Sequence, residues 1–174
     1  MKKLLLFLFL STAITFSQKN EKFKAGVHSI VIKKQPNYTA PKSVLFVFTG
    51  HTHLINFYLD LSKKIRKRFK KDKVKIAFNF NLSGGNLEQD LKLIPKKNAV
   101  FTDFEAVCRL KMHSFKGWDG PEIKKRKQVY NLEIRVNEKR ETVLRATLDV
   151  KTFFTIATQN KALSKKIYRI ISSK

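Results

Sequence analysis

The feature that most restricts the fold is a strand, a helix and a second strand within about forty residues. Ser43–Phe48 holds an unbroken apolar run, which is typical of a central strand covered on both faces. Apolar residues recur at helical spacing over His53–Lys71, and they alternate with polar residues over Val74–Leu82. This order predicts a parallel unit with a right-handed crossover. A turn at Ser83–Gly85 and a short helix over Leu87–Ile94 are expected to follow it.

The second half of the chain predicts an antiparallel meander followed by a helix. Apolar and polar residues alternate in three segments, Ala106–Met112, Tyr130–Val136 and Leu144–Val150, and Asn160–Ser172 shows helical spacing. The whole pattern predicts an α+β fold with an α/β start, in which helices cover mainly one face of a mixed sheet of four or five strands. We expect the opposite face to be largely solvated. The predicted domain covers residues 43–174, and residues 18–42 are expected to form a linker or an edge strand.

The last two strands also predict a register. Pairing them around Lys139 places Glu133 opposite Arg145 and Ile134 opposite Leu144. That register puts every apolar residue on one face and an opposite-charge pair on the other.

The N-terminus has the composition of a secretory signal peptide. Met1–Ser17 combines two lysines, the apolar run Leu4–Leu10 and small residues before Gln18, where cleavage is expected. The apolar run is shorter than the roughly 20 residues of a membrane-spanning helix, so an uncleaved anchor is the less favoured alternative. No cysteine lies near Gln18, which disfavours a lipid anchor. The predicted location is the periplasm or the cell exterior.

The charge and cysteine content limit the possible partners. The chain has 37 Lys and Arg against 13 Asp and Glu, a formal charge of +24. An anionic partner would explain this balance, although a compositional bias of the source would too. Most of the cations are lysine, which lacks the fork that recognises phosphates and bases, so nucleic acid is disfavoured. Cys108, the single cysteine, excludes an intramolecular disulfide and is predicted to be buried and inert.

One candidate ligand site follows the first strand. Thr49 and Gly50 end that strand, and His51, Thr52 and His53 precede the helix. Ligands of open α/β sheets bind at such strand ends. Two histidines supply fewer than the three or four ligands that a metal needs, so we predict no metal or other cofactor. The ordinary alternative is that a histidine or Thr52 caps the helix.

Two further binding regions and one acidic cluster are visible in the sequence. Trp118 lies in a turn beside a basic run, where its ring would stack on a ligand or fold over the sheet edge. The first helix carries a cationic face that would meet anionic lipid, lipopolysaccharide or an acidic protein, or be simply solvated. Its residues are Lys63, Lys64, Arg66, Lys67, Arg68, Lys70 and Lys71. The acidic cluster consists of Asp103, Glu105, Asp119 and Glu122; its spacing matches no hydrolase motif, which favours ion pairing.

The element order resembles periplasmic domains of envelope-assembly lipoproteins, of the curli-secretion and peptidoglycan-synthase-activator kind. The resemblance covers Lys42–Lys174 and rests on the Thr49-Gly50 turn before a long helix, and on a hairpin, Tyr130–Val150, that leads into a terminal helix. The chain departs from those lipoproteins in having no lipid-attachment cysteine. The resemblance implies a non-enzymatic role in the envelope.

The sequence therefore favours an exported, non-catalytic accessory or binding domain with an envelope protein or an anionic envelope component as partner. One alternative is a small periplasmic hydrolase or metal-dependent enzyme that uses His51 and His53. Another is a protein that binds a polyanion through the basic helix.

The first testable prediction concerns the signal peptide. Protein recovered from the cell envelope or medium should begin at Gln18, because signal peptidase removes residues 1–17. N-terminal sequencing or intact mass measurement checks this. A full-length chain that begins at Met1 and remains in the cytoplasm would contradict it.

Overall fold

Strand and helix bounds come from a computed structural model, which describes residues 25–84, 98–116, 128–152 and 155–173. The signal segment, the helix expected over Leu87–Ile94 and the Trp118 turn lie outside the described residues. In chain order, the elements are β1 (Gly26–Lys34), β2 (Ser43–His51), α1 (Ile55–Phe69), β3 (Lys75–Ser83), β4 (Ala106–Lys116), β5 (Gln128–Glu138), β6 (Glu141–Thr152) and α2 (Ile156–Ser172).

The strands form one mixed sheet in the order β1-β6-β5-β4-β2-β3. β2 is parallel to both of its neighbours, and the other pairs are antiparallel. The α+β class and the β2-α1-β3 unit are as predicted, but the described residues form six strands instead of four or five. The sixth is β1, which pairs with β6 along an edge. β2 is buried as expected, but it lies next to the edge strand β3 and not at the centre of the sheet.

Aromatic side chains on β2 hold α1 against the sheet. Phe48 stacks on Tyr58, with ring centroids 4.8 Å apart, and Phe46 meets the edge of Phe69 at 5.5 Å. All four side chains are at most 1% exposed. Full burial of one large apolar side chain contributes about 1.5–3 kcal/mol, so this cluster is a major source of stability.

The helices α1 and α2 lie on the same face of the sheet and run in parallel. Near their N-terminal ends the Asn160 side-chain amide donates to the Phe57 carbonyl (3.0 Å) and to the Asp60 carboxylate (2.9 Å). Near their C-terminal ends Tyr168 donates to Asp72. α2 begins a turn earlier than the predicted Asn160, because the Thr155 hydroxyl accepts a hydrogen bond from a first-turn amide and caps the helix.

The face of the sheet opposite the helices, here called the open face, is less solvated than predicted. Leu45 and Val47 point to this side of β2, yet they are only 0% and 5% exposed. On neighbouring β3, Asn79 lies opposite Val47 and holds the chain at Ala99: its side chain donates to the Ala99 carbonyl (3.0 Å) and accepts from the Ala99 amide (2.8 Å). Solvent therefore reaches the open face mainly over β4, β5 and β6.

The predicted register of the last hairpin is wrong by two residues. Glu133 lies opposite Thr147, and Arg145 lies opposite Arg135. The turn is tighter than expected, because Lys139 and Arg140 both adopt positive φ (44° and 74°), as in a two-residue hairpin loop. A register shift follows between positions 136 and 137. Side chains alternate with period two, so each residue keeps its predicted face although its partner changes.

Glu133 still meets Arg145, but through a diagonal contact. One oxygen of its carboxylate lies 2.6 Å from the Arg135 Nε and 3.8 Å from the Arg145 Nε, and the other lies 3.3 Å from His113 Nε2. The hydrogen bond from Arg135, followed by that from His113, holds the pKa of Glu133 below its usual value.

We predict that Glu133→Gln destabilises the protein by about 0.5–1 kcal/mol near neutral pH. Because the pKa of Glu133 is lower in the folded protein than in the unfolded chain, its ionised carboxylate stabilises the fold at pH values above the unfolded-state pKa of about 4.3. This stabilisation is lost as the pH falls through the folded-state pKa. Denaturant unfolding at pH 7 and at pH 3 measures the effect of the substitution with the carboxylate ionised and after the stabilisation has been reduced. Asp103→Asn, at an exposed turn, is the matched control. If the variant loses the same free energy of unfolding at pH 7 and at pH 3, the ionic explanation is wrong.

Candidate functional site

Hydrogen bonds and close packing hold the C-terminal end of β2 in place. Tyr58 donates a hydrogen bond to the Thr49 carbonyl (3.0 Å), and the Thr49 hydroxyl donates to the Leu110 carbonyl (3.2 Å). Gly50 has φ of +148°, and a Cβ there would lie 3.3 Å from Leu54 Cδ1. A side chain at this position would therefore be strained, which explains the glycine.

The structure brings His51 and His53 together, with ring centroids 4.4 Å apart. The His53 amide donates to His51 Nδ1 (3.3 Å), so His51 caps the short turn that leads into α1. The Thr52 hydroxyl is buried and donates to the Gly84 carbonyl, tying the turn to the end of β3. Capping and anchoring thus account for His51 and Thr52. Among the described ranges, no group of three or more His, Cys, Asp or Glu side chains is arranged to hold a metal ion.

The other titratable groups of interest serve the fold. Glu105 accepts a hydrogen bond from the Lys42 amide (2.7 Å). Cys108 is buried as predicted, and its burial raises the pKa of the thiol. Trp118, Asp119 and Glu122 lie outside the described residues.

The predicted basic patch supplies seven of the eleven cations of a larger surface. α2 runs beside α1 and adds four cations to the seven on α1 and the turn after it. Together they form the cationic helix surface: Lys63, Lys64, Arg66, Lys67, Arg68, Lys70, Lys71, Lys161, Lys165, Lys166 and Arg169. The same two segments hold two carboxylates. Asp60 pairs with Lys64, and Asp72 accepts from Tyr168, so both are already engaged.

A groove of about 350 Å³ runs between the two helices within this surface. It is lined by Lys64, Lys67, Arg68, Lys71, Lys161 and Ser164, so five of its six lining residues are cationic. The sequence pattern predicts the α1 side of this groove but not the α2 side, because the helices are almost a hundred residues apart in the chain.

A second groove, which sequence analysis missed, lies on the open face and has a volume of about 970 Å³. It brings together residues 39–42, 101–109 and 137–140, which only the sheet topology makes neighbours. Phe101 is 49% exposed at this groove, and Arg109 is also exposed. The ring of Phe104 lies under the Lys75 ammonium at 4.9 Å.

These features define an open, mixed α+β sheet with one helical layer and basic surfaces. No protein-family model matches the chain, and no curated protein matches it. The fold is similar to that of PelC from Paraburkholderia phytofirmans, crystallised as a dodecamer, with a TM-score of 0.54, 9% identity, and coverage of 85% of this chain and 99% of PelC.

Two further solved structures are similar. A point variant of the same PelC protein gives a TM-score of 0.52 at 8% identity over 85% of this chain and 99% of that one. A neuraminyllactose-binding hemagglutinin homologue from Helicobacter pylori gives 0.37 at 10% identity over 84% of this chain and 90% of that one. None of the helices in the described part of the chain is long and apolar enough to cross a membrane.

We predict that Thr52→Val lowers the free energy of unfolding by about 1–2 kcal/mol, since it leaves the Gly84 carbonyl without its donor. Thr52→Ser keeps the hydroxyl, so its free energy of unfolding should fall clearly less. Denaturant unfolding of the two variants measures the difference. Equal stability of the valine and serine variants would show that the hydrogen bond is not what anchors the turn.

Proposed function

We propose that this chain is an exported, non-catalytic accessory protein of the bacterial cell envelope, which holds an anionic envelope component against its cationic helix surface. The observation that carries the proposal is this surface, with eleven cations and two carboxylates that are already engaged. The signal-like N-terminus and the similarity of the fold to PelC support an envelope role. The site of action is the periplasm or the cell exterior.

The proposed contact is electrostatic because the large apolar side chains along the middle of each helix face the sheet. Leu61 and Ile65 of α1, and Leu163 and Ile167 of α2, are all fully buried against the sheet. The outward-facing side chains are therefore mainly lysine and arginine, which attract an anionic surface without inserting into it. Attraction between exposed charges is screened over about 8 Å at physiological ionic strength, so added salt should release the protein.

The test is salt release from bacterial envelopes. We expect processed protein to sediment with envelopes at low salt and to be released by increasing sodium chloride. Lys67→Gln combined with Lys70→Gln removes two exposed cations of the helix surface and should lower the salt concentration that releases the protein.

The matched control removes two cations from the open face, Lys111→Gln with Lys151→Gln. It should shift the release point clearly less than the helix variant. Equal shifts would show that net charge, and not the helix surface, holds the protein. Release of all variants at the lowest salt concentration would contradict the proposed function.

A further inference from the structure

A row of four cations crosses the open face on adjacent strands. Arg109 of β4 lies opposite Arg135 of β5, Arg135 lies opposite Arg145 of β6, and Arg145 lies opposite Lys33 of β1. All four residues are exposed, with the side chains of Arg135 and Arg145 at 45% and 51%. We name these four residues the arginine row.

The arginine row is unfavourable for the fold alone. Like charges directly opposite each other on neighbouring strands destabilise a sheet. Among the described contacts, Glu133 is the carboxylate that offsets the row, and it reaches Arg135 and Arg145. A locally costly arrangement on an exposed surface is typical of a binding site.

The row leads into the open-face groove. Arg109 lines this groove together with Phe101, Phe104 and the cations Lys42, Lys139 and Arg140. Two carboxylates, Glu105 and Glu138, line it as well, so the cations outnumber them by four to two. Phe101 is half exposed and offers an apolar ring beside the first guanidinium of the row. The combined surface thus provides one exposed aromatic ring followed by a line of cations.

We propose that the arginine row and the adjoining groove bind a linear acidic polysaccharide. Neighbouring strands are about 4.8 Å apart, which is close to the length of one sugar unit in an extended chain. A polymer that crosses the strands would therefore present successive carboxylates to successive cations. Guanidinium groups bind carboxylates through paired hydrogen bonds, and the Phe101 ring packs against a sugar face.

A single-stranded nucleic acid fits this surface less well. Bases need a series of aromatic rings on which to stack. Of the two groove phenylalanines, Phe104 already holds the Lys75 ammonium against its ring. The site lies on the face opposite the cationic helix surface, so it is independent of the function proposed above.

The test is calorimetric titration of the mature protein with oligogalacturonates of one to five units in 0.15 M salt. From Arg109 to Lys33 the row spans three strand spacings, about 14 Å. We therefore expect the trimer to bind at least about tenfold more tightly than the monomer, with little gain beyond four units. Affinity that is independent of length over this range would overturn the proposal.

Variants separate the row from general charge. Arg109→Gln with Arg145→Gln should weaken trimer binding at least about fivefold, and it should not lower the melting temperature, because it removes like-charge repulsion. Arg109→Lys with Arg145→Lys keeps the charge but loses the paired hydrogen bonds. Its affinity for the trimer should therefore lie between those of the wild-type protein and the glutamine variant.

Lys67→Gln with Lys70→Gln removes the same charge from the helix surface and should leave trimer binding within about twofold. Equal weakening by the helix and row variants would overturn the proposal. Tighter binding of a single-stranded oligonucleotide of equal charge at the row would overturn it as well. Neither result bears on envelope retention through the helices, which the salt-release test examines separately.

Discussion

The packing of two parallel helices onto one face of the sheet determines which side chains remain available for binding. Phe46 and Phe48 of β2 anchor α1, and the side chain of Asn160 ties α2 to α1 through the Phe57 carbonyl and Asp60. In this packing the apolar stripes of both helices are buried against the sheet. Because the apolar stripes face the sheet, the lysines and arginines between them lie on the outer side of the helical layer, five of them around the groove between the helices. The cationic helix surface is thus a consequence of core packing.

Much of this architecture could be predicted because it depends on local periodicity. The helical spacing over His53–Lys71 and the alternation over Val74–Leu82 specify a helix and a strand whatever their neighbours are. β1 has a weaker signal, since its exposed residues include Ile30 and Ile32, and an edge strand buries less of its apolar surface. The N-terminal bound of α2 depends on a single cap, Thr155, which apolar spacing does not show.

The cationic helix surface and the arginine row were harder to predict, because they depend on strand register and on residues that are distant in the sequence. The expected pairing would place Glu133 directly opposite Arg145. A two-residue hairpin turn at Lys139 and Arg140 shifts the pairing by one residue and the irregularity between positions 136 and 137 shifts it by another, so that Arg135 stands opposite Arg145. The faces of the side chains are unchanged, but Glu133 is shared between Arg135 (2.6 Å) and Arg145 (3.8 Å), and Arg109, Arg135, Arg145 and Lys33 line up across four strands.

The separation of the two basic surfaces by the sheet has a physical consequence. The helices occupy one face and the arginine row crosses the other, so an anion bound on one side does not compete for the same side chains on the other. With a formal charge of +24, each bound anion also relieves repulsion within the folded protein. A ligand that binds only the folded state stabilises it by mass action, so occupancy of either face favours the fold.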